Sequence, residues 1–174
     1  KGLLGSGLTA TVMSNLALDE HLSHENIKLF RCPVGDRYVL KTMVEENSGL
    51  GGEQSGHVII KSYTSTGDGL CTGFVFLKAL SDLGEDIRYL VDRFDRYPQI
   101  LRNIVVHDKK ILLENPGFMS IVEEASRILE GKGRIFIRPS GTEPLIRILV
   151  EAKDRNLMES ISESVVKEIS SLVG

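Results

Sequence analysis

The order of apolar patterns along the chain predicts an α/β protein of two domains: a partial mixed α/β domain over residues 1–97, then a small α+β domain over residues 98–174 in which a helix pair covers a mostly antiparallel sheet. Three observations support this. Short apolar runs alternate with segments of helical period through the first half. The periodicity breaks at Asp95-Arg96-Tyr97-Pro98. Beyond that break the pattern restarts as β-α-β-β-α within about 75 residues.

In chain order, Leu8–Met13 is a short strand, and Ser14–His24 is compatible with a helix whose Ser14 and Asn15 suit an N-cap. Ile27–Cys32 is a second strand. Pro33 and Gly35 break the chain, after which Tyr38, Val39 and Met43 fall at helical spacing within Asp36–Asn47. Ser48–Gly56 is glycine-rich with almost no apolar content and reads as a loop. Val58–Lys61 is a strand. Thr66-Gly67-Asp68-Gly69 opens a helix that runs to Leu83 and ends at Gly84, with Leu70, Phe74, Leu77 and Leu80 along one stripe. Ile87, Leu90, Val91 and Phe94, at i, i+3, i+4 and i+7, mark a short helix before the break. The second half reads as strand Arg102–His107, helix Pro116–Glu130, strand Arg134–Arg138, strand Leu145–Glu151 and helix Asn156–Val173. Asn115-Pro116 places an N-cap before a proline at the first helical position; Phe118, Val122, Ala125 and Leu129 form the buried stripe, and Gly131 ends the helix. The last helix carries Leu157, Ile161, Val165, Ile169 and Leu172 on one face.

Composition narrows the function classes. The 174 residues are 41% hydrophobic, which excludes disorder. With 21 basic and 24 acidic residues the net charge is −3, giving no general attraction for nucleic acid or anionic lipid. No apolar run approaches the roughly 18 residues that cross a bilayer, so neither nucleic acid nor membrane is an expected partner. Cys32 and Cys71 stand alone, without a CxxC pair, which fits a reducing cytoplasm better than a disulfide framework. The start at Lys1, directly in a strand-like pattern, reads as a piece of a longer polypeptide.

Two loops hold the residues suited to chemistry. Arg138-Pro139-Ser140-Gly141-Thr142-Glu143-Pro144 joins two strands and has the parts a phosphate needs. Arg138 offers a permanently charged planar fork, Ser140 and Thr142 offer hydroxyl donors, and Gly141 lets backbone N–H groups approach one anion. The two prolines stiffen the loop, and Arg147 lies in the next strand on the face opposite Ile146 and Ile148, where it can reach the same anion. Pro, Ser, Gly and Thr are also ordinary hairpin residues, and the flanking arginines tip the reading towards an anion site. Gly51-Gly52-Glu53-Gln54-Ser55-Gly56-His57 projects a carboxylate, an amide, a hydroxyl and an imidazole from one loop, a set suited to a polyhydroxylated ligand or, equally, to solvent. Arg37, in the first turn of its helix, can assist an anion there, although an exposed charge is the simpler reading. The Lys109-Lys110 pair reads as a solvated face.

Five segments taken together resemble the α-D-phosphohexomutase superfamily and, within it, the bacterial phosphoglucosamine mutase branch: Thr11–Leu16, Val34–Val39, Gly51–His57, Thr66–Leu70 and Arg138–Arg147, in family order across the chain. Gln54, where related phosphomannomutases and phosphoglucomutases tend to have Met, and Gly35-Asp36-Arg37 point to the glucosamine branch. The resemblance implies a cytoplasmic isomerase, an intramolecular phosphotransferase that interconverts glucosamine 6-phosphate and glucosamine 1-phosphate on the route to UDP-N-acetylglucosamine and the cell wall. It implies a phosphoserine enzyme, a glucosamine 1,6-bisphosphate intermediate and Mg²⁺ as cofactor. Residue by residue, it implies that Glu53 and Ser55 bind sugar hydroxyls and that His57 both contacts the substrate and assists as acid or base. Arg37 would bring positive charge to the substrate, while Arg138, Ser140, Gly141 and Thr142, with Arg147, would hold the phosphate remote from the reaction. The family's Ser-His-Asn-Pro type phosphoserine loop and Asp-Gly-Asp-x-Asp-Arg type metal loop do not occur in the sequence. The resemblance therefore implies the C-terminal half of the enzyme, most of its third domain and its complete fourth, with no metal ligands of its own. Its partners would be a phosphosugar and the enzyme's N-terminal half, and alone it would be inactive. The alternatives are a mutase of the same superfamily acting on another hexose phosphate (a phosphomannomutase or phosphoglucomutase), or a non-catalytic phosphosugar-binding module.

Overall fold

Two sheets organise the computed structural model, which describes residues 2–84, 86–92, 94–106 and 108–173. The chain divides into two compact units, Lys1–Arg96 and Tyr97–Gly174.

The first unit runs β1 (Leu8–Thr11), α1 (Ala17–His24), β2 (Leu29–Cys32), α2 (Asp36–Glu45), β3 (Leu50–Gly52), β4 (Val58–Ile60), α3 (Gly69–Leu83) and α4 (Ile87–Asp92). The sheet order is β2-β1-β3-β4, with β1 parallel to β2 and β3, and β4 antiparallel to β3. Central β1 buries Thr9, Ala10 and Thr11 in succession, as a strand covered on both faces must. α2 packs Val39 and Met43 against Cys32 and Ile59.

Three expectations for this unit need correction. Residues 14–16 are not helical: Arg31 donates to the carbonyls of Thr11, Ser14 and Asn15 at 2.7, 2.8 and 3.1 Å and pairs with Asp19, holding the β1–α1 connection open. Within Ser48–Gly56, read as a loop, Leu50–Gly52 is a strand. Glycine is a poor strand former, but a Cβ on Gly51 would lie 2.3 Å from Met43 Sδ and 2.7 Å from Val39 Cγ1, so its absence is what lets α2 sit on the sheet. The apolar stripe of α3 is exposed: Leu70, Phe74 and Leu77 are 79%, 72% and 62% accessible, and among the described residues α3 has no buried position. Its predicted start and stop are as expected, with the Asp68 side chain accepting from Cys71 N and Gly84 left-handed at φ 64°.

The second unit runs β5 (Gln99–Val105), α5 (Lys109–Leu113), α6 (Pro116–Leu129), β6 (Gly133–Pro139), β7 (Leu145–Ala152) and α7 (Arg155–Val173). Its sheet is antiparallel in the order β5-β7-β6. Ile146, Ile148, Val150 and Ala152 of central β7 meet Phe118, Ala125 and Leu129 of α6 and Met158, Ile161, Val165 and Ile169 of α7 in one core, the predicted helix pair on a sheet. Asn115 caps α6 by accepting from Gly117 N at 2.8 Å. Leu172, expected on the buried face of α7, is exposed in the last turn of that helix, beyond the core that ends at Ile169. The strand expected over Arg102–His107 begins earlier, at Gln99, because its whole length pairs with β7; it ends at Val105, and His107 lies outside the described residues. α5 was not anticipated. At five residues it is too short to show a period, and it is opened by Asp108, whose carboxylate accepts from Lys110 N and Ile111 N.

On the sheet face away from the helices, Glu151 is fully buried. Its carboxylate accepts from Arg134 Nε at 2.7 Å and Gln99 Nε2 at 2.9 Å, so the charge is paired and hydrogen-bonded where water cannot reach it.

Candidate functional site

In the first unit the loop Glu53–His57 closes the β3–β4 hairpin. Glu53 N donates to His57 O and Gly56 N to Glu53 O, each at 3.0 Å, and Gly56 takes φ +95°, a value that favours glycine. This places Ser55 Oγ 2.9 Å and Glu53 Oε1 3.7 Å from His57 Nδ1. The Glu53 side chain is only 11% accessible, whereas His57 is 59% accessible. With Nδ1 turned to the loop, the other ring nitrogen is the one available to a ligand. A Cβ on Gly67 would lie 3.2 Å from His57 Cδ2, so the α3 approach also abuts the imidazole, a contact the sequence did not reveal. Burial pushes the nearby Cys32 thiol up, and the negative charge of Glu53 adds to this against the opposing effect of Arg31.

Arg37 bonds to its neighbour in sequence. Its guanidinium stacks on the Tyr38 ring at 4.5 Å and donates to Tyr38 Oη at 2.7 Å, and among the described residues it makes no hydrogen bond to Glu53, Ser55 or His57.

In the second unit Arg138 and Arg147 are direct register partners across β6 and β7. Like charges facing each other on an antiparallel pair destabilise it. The cost is compounded by the Nε atoms of both residues, which are buried without a hydrogen-bond partner. Arg147 donates through its terminal nitrogen to Glu143 Oε2 at 2.8 Å, while the Arg138 guanidinium has no partner among the described residues. The turn above them is firmly held: Ser140 N donates to Leu145 O at 2.9 Å, and Glu143 N donates to Ser140 Oγ at 3.3 Å. Between these anchors the amides of Gly141 and Thr142 donate to no group among the described residues. Gly141 is not left-handed, and a Cβ there would meet nothing within 4 Å; the glycine leaves space above the turn rather than permitting its shape. Lys109, read as part of a solvated face, reaches under the turn, donating to Ser140 O at 2.6 Å and Glu143 O at 3.0 Å. Those partners are 31 and 34 residues away, so no local pattern signalled them. The result is a turn flanked by basic side chains and carrying unused donors, suited to a tetrahedral oxyanion.

Among the described residues no three His, Cys, Asp or Glu side chains stand together in a way that could hold a metal ion, so the residues in hand do not fit Mg²⁺. Among them, too, no helix is long and apolar enough to cross a membrane.

Residues 1–97 match the model of phosphoglucomutase/phosphomannomutase α/β/α domain III, and residues 101–168 match that of the C-terminal domain of the same proteins. The chain belongs to the phosphoglucomutase/phosphomannomutase family. Among curated relatives, the phosphoglucosamine mutase of Roseobacter denitrificans is 43% identical over 172 residues, which is 99% of this chain and 38% of that protein. That of Desulforamulus reducens is 40% identical over 173 residues, 99% of this chain and 39% of the relative. The chain thus spans less than two-fifths of the length of these mutases. The same fold occurs in Aspergillus fumigatus N-acetylphosphoglucosamine mutase solved with glucose 1,6-bisphosphate, at a TM-score of 0.80 and 16% identity over 99% of this chain and 39% of that one. The fungal enzyme has also been solved with GlcNAc-6P and magnesium, at a TM-score of 0.80 and 15% identity over 98% of this chain and 40% of that one.

Proposed function

We propose that this chain is the C-terminal part of a cytoplasmic phosphoglucosamine mutase and that its share of the work is to hold the substrate, glucosamine 6-phosphate or glucosamine 1-phosphate, by the phosphate that is not reacting. The observation that carries this reading is the Arg138–Arg147 pair, two facing cations with buried, unused Nε donors beneath a turn with unused amides. A phosphate dianion reverses the sign of that interaction and supplies acceptors for the guanidinium groups, the Ser140 and Thr142 hydroxyls and the Gly141 amide. Gripping the remote phosphate applies binding energy to positioning the reacting end of the sugar.

Glu53, largely buried and fixed by the backbone of its hairpin, accepts hydrogen bonds from sugar hydroxyls, and Ser55 adds a further polar contact. His57, oriented through Nδ1 by Ser55, presents its other nitrogen to exchange a proton with a hydroxyl of the sugar. Arg37 contributes long-range positive charge from its perch on Tyr38. The phosphoserine and the Mg²⁺ site belong to the rest of the enzyme, with which this chain would have to combine for turnover over the bisphosphate intermediate.

The test is a titration of glucosamine 1-phosphate, with inorganic phosphate as control, followed by the backbone amide resonances of isotope-labelled protein. Shifts at both Gly52–His57 and Arg138–Thr142, saturating at lower concentration for the sugar phosphate, are expected. A silent Arg138–Thr142 segment would remove the phosphate role, and a response confined to that segment and equal for both ligands would remove the sugar role of Glu53, Ser55 and His57. Addition of the N-terminal part of a phosphoglucosamine mutase should restore turnover, whereas turnover by this chain alone would refute the division of labour.

A further inference from the structure

Whereas Arg147 bonds the side chain of Glu143, Lys109 bonds the backbone of the turn. Its ammonium donates to the carbonyl oxygens of Ser140 and Glu143, the residues on either side of Gly141-Thr142. A trans peptide is planar, with C=O and N–H pointing in opposite directions. Fixing the Ser140 carbonyl on the lysine side therefore directs the Gly141 N–H to the opposite side. The Glu143 carbonyl precedes Pro144, a peptide with no N–H to offer, so the second bond closes the far edge of the turn without using up a donor. Lys109 itself is held at the first position of α5, immediately after the cap formed by Asp108, so its backbone is fixed independently of the turn.

We infer that Lys109 is a positioning residue for the Ser140–Glu143 turn: it clamps the Ser140 and Glu143 carbonyls so that the turn is pre-ordered with its Gly141 amide held towards an anion. This rests on the reading of that turn as a phosphate cradle. It goes beyond that reading by assigning a role to a side chain remote in sequence that need not touch the ligand. Without it the Ser140 carbonyl would lose its anchor and the Glu143 carbonyl would keep only the Leu145 N–H at 2.9 Å, and pre-ordering the donors removes the cost of that added freedom from binding.

The experiment compares the wild-type chain with Lys109→Met and Lys109→Arg, using amide shifts and heteronuclear NOEs of Gly141, Thr142 and Glu143 before any ligand is added, then titration with inorganic phosphate. In the ligand-free Lys109→Met protein the three amides should shift and lose NOE intensity while those of β7 and α7 keep theirs. Phosphate affinity should fall roughly tenfold, the scale of one lost charge-assisted hydrogen bond. Lys109→Arg, which keeps cationic donors, should restore both readouts to within about threefold of wild type, the usual context spread of such interactions. If the ligand-free turn is as ordered in Lys109→Met as in wild type, the inference is overturned, even where affinity drops, because Lys109 would then act only through its charge. A wild-type chain that shows no response to phosphate would instead count against the cradle reading, while the ligand-free comparison still decides whether Lys109 orders the turn.

Discussion

Replacing Arg138 with Met should make the ligand-free protein more stable and the phosphate complex weaker. Arg138 faces Arg147 across β6 and β7, and its Nε is buried without a partner. Relief of a facing like-charge pair is worth about 0.2–1 kcal/mol. Removal of a buried unsatisfied donor is worth about 1–3 kcal/mol, reduced here because the rest of the guanidinium is reached by water. A net gain of about 1 kcal/mol is expected, equivalent to roughly 4–8 °C in the midpoint of a unit this size. Phosphate at about 100 times its Kd should stabilise the wild type by about 2.7 kcal/mol. With one charge-assisted contact worth about 1.5–3 kcal/mol, most of that ligand-dependent increment should vanish in the variant. The assay is urea unfolding of the whole chain with and without phosphate, followed by the methyl resonances of Ile146 and Ile148, which lie in the core of the second unit. The reasoning fails if Arg138→Met is destabilised without ligand, or if its phosphate-dependent increment equals that of wild type.

Other perturbations test the scaffold around the two loops. Arg134→Met leaves the buried Glu151 carboxylate without the guanidinium that neutralises it and should cost about 3 kcal/mol by denaturant unfolding of the second unit; a change below ~1 kcal/mol would mean the pair is not desolvated. Gly51→Ala forces a methyl against Met43 and Val39 and should cost about 1–3 kcal/mol, a loss partly recovered by shortening Met43 in the same chain. Cys32, whose thiol is held above its usual range by burial and by Glu53, should alkylate far more slowly than Cys71 at mildly alkaline pH. Since the folded thiol keeps its proton where the unfolded one has lost it, the contribution of Cys32 to stability is full below the ordinary thiol range and declines as pH rises through and above it. Equal alkylation rates for the two cysteines in native protein would contradict this.

Helical period, caps and breakers are local signals, so the amino-acid sequence by itself determined α2, α6 and α7, the Asn115 cap, the helix entry at Thr66–Gly69 and the Gly84 stop, as well as the grouping of Arg138 to Thr142 and Glu53 to His57 in two short loops. It could not determine features whose partners are remote in the chain. Leu50–Gly52 is a strand because β1, some 40 residues earlier, and β4 across the hairpin both pair with it and because α2 needs the missing Cβ of Gly51. The stripe of α3 has the spacing of a buried face and yet is exposed, since period specifies which side chains align and not what lies against them. Tertiary structure alone faced Arg138 with Arg147 and brought Lys109 beneath a turn more than 30 residues away. Strand register and long-range hydrogen bonds are decided by how whole elements pack, and no window of neighbouring residues encodes that.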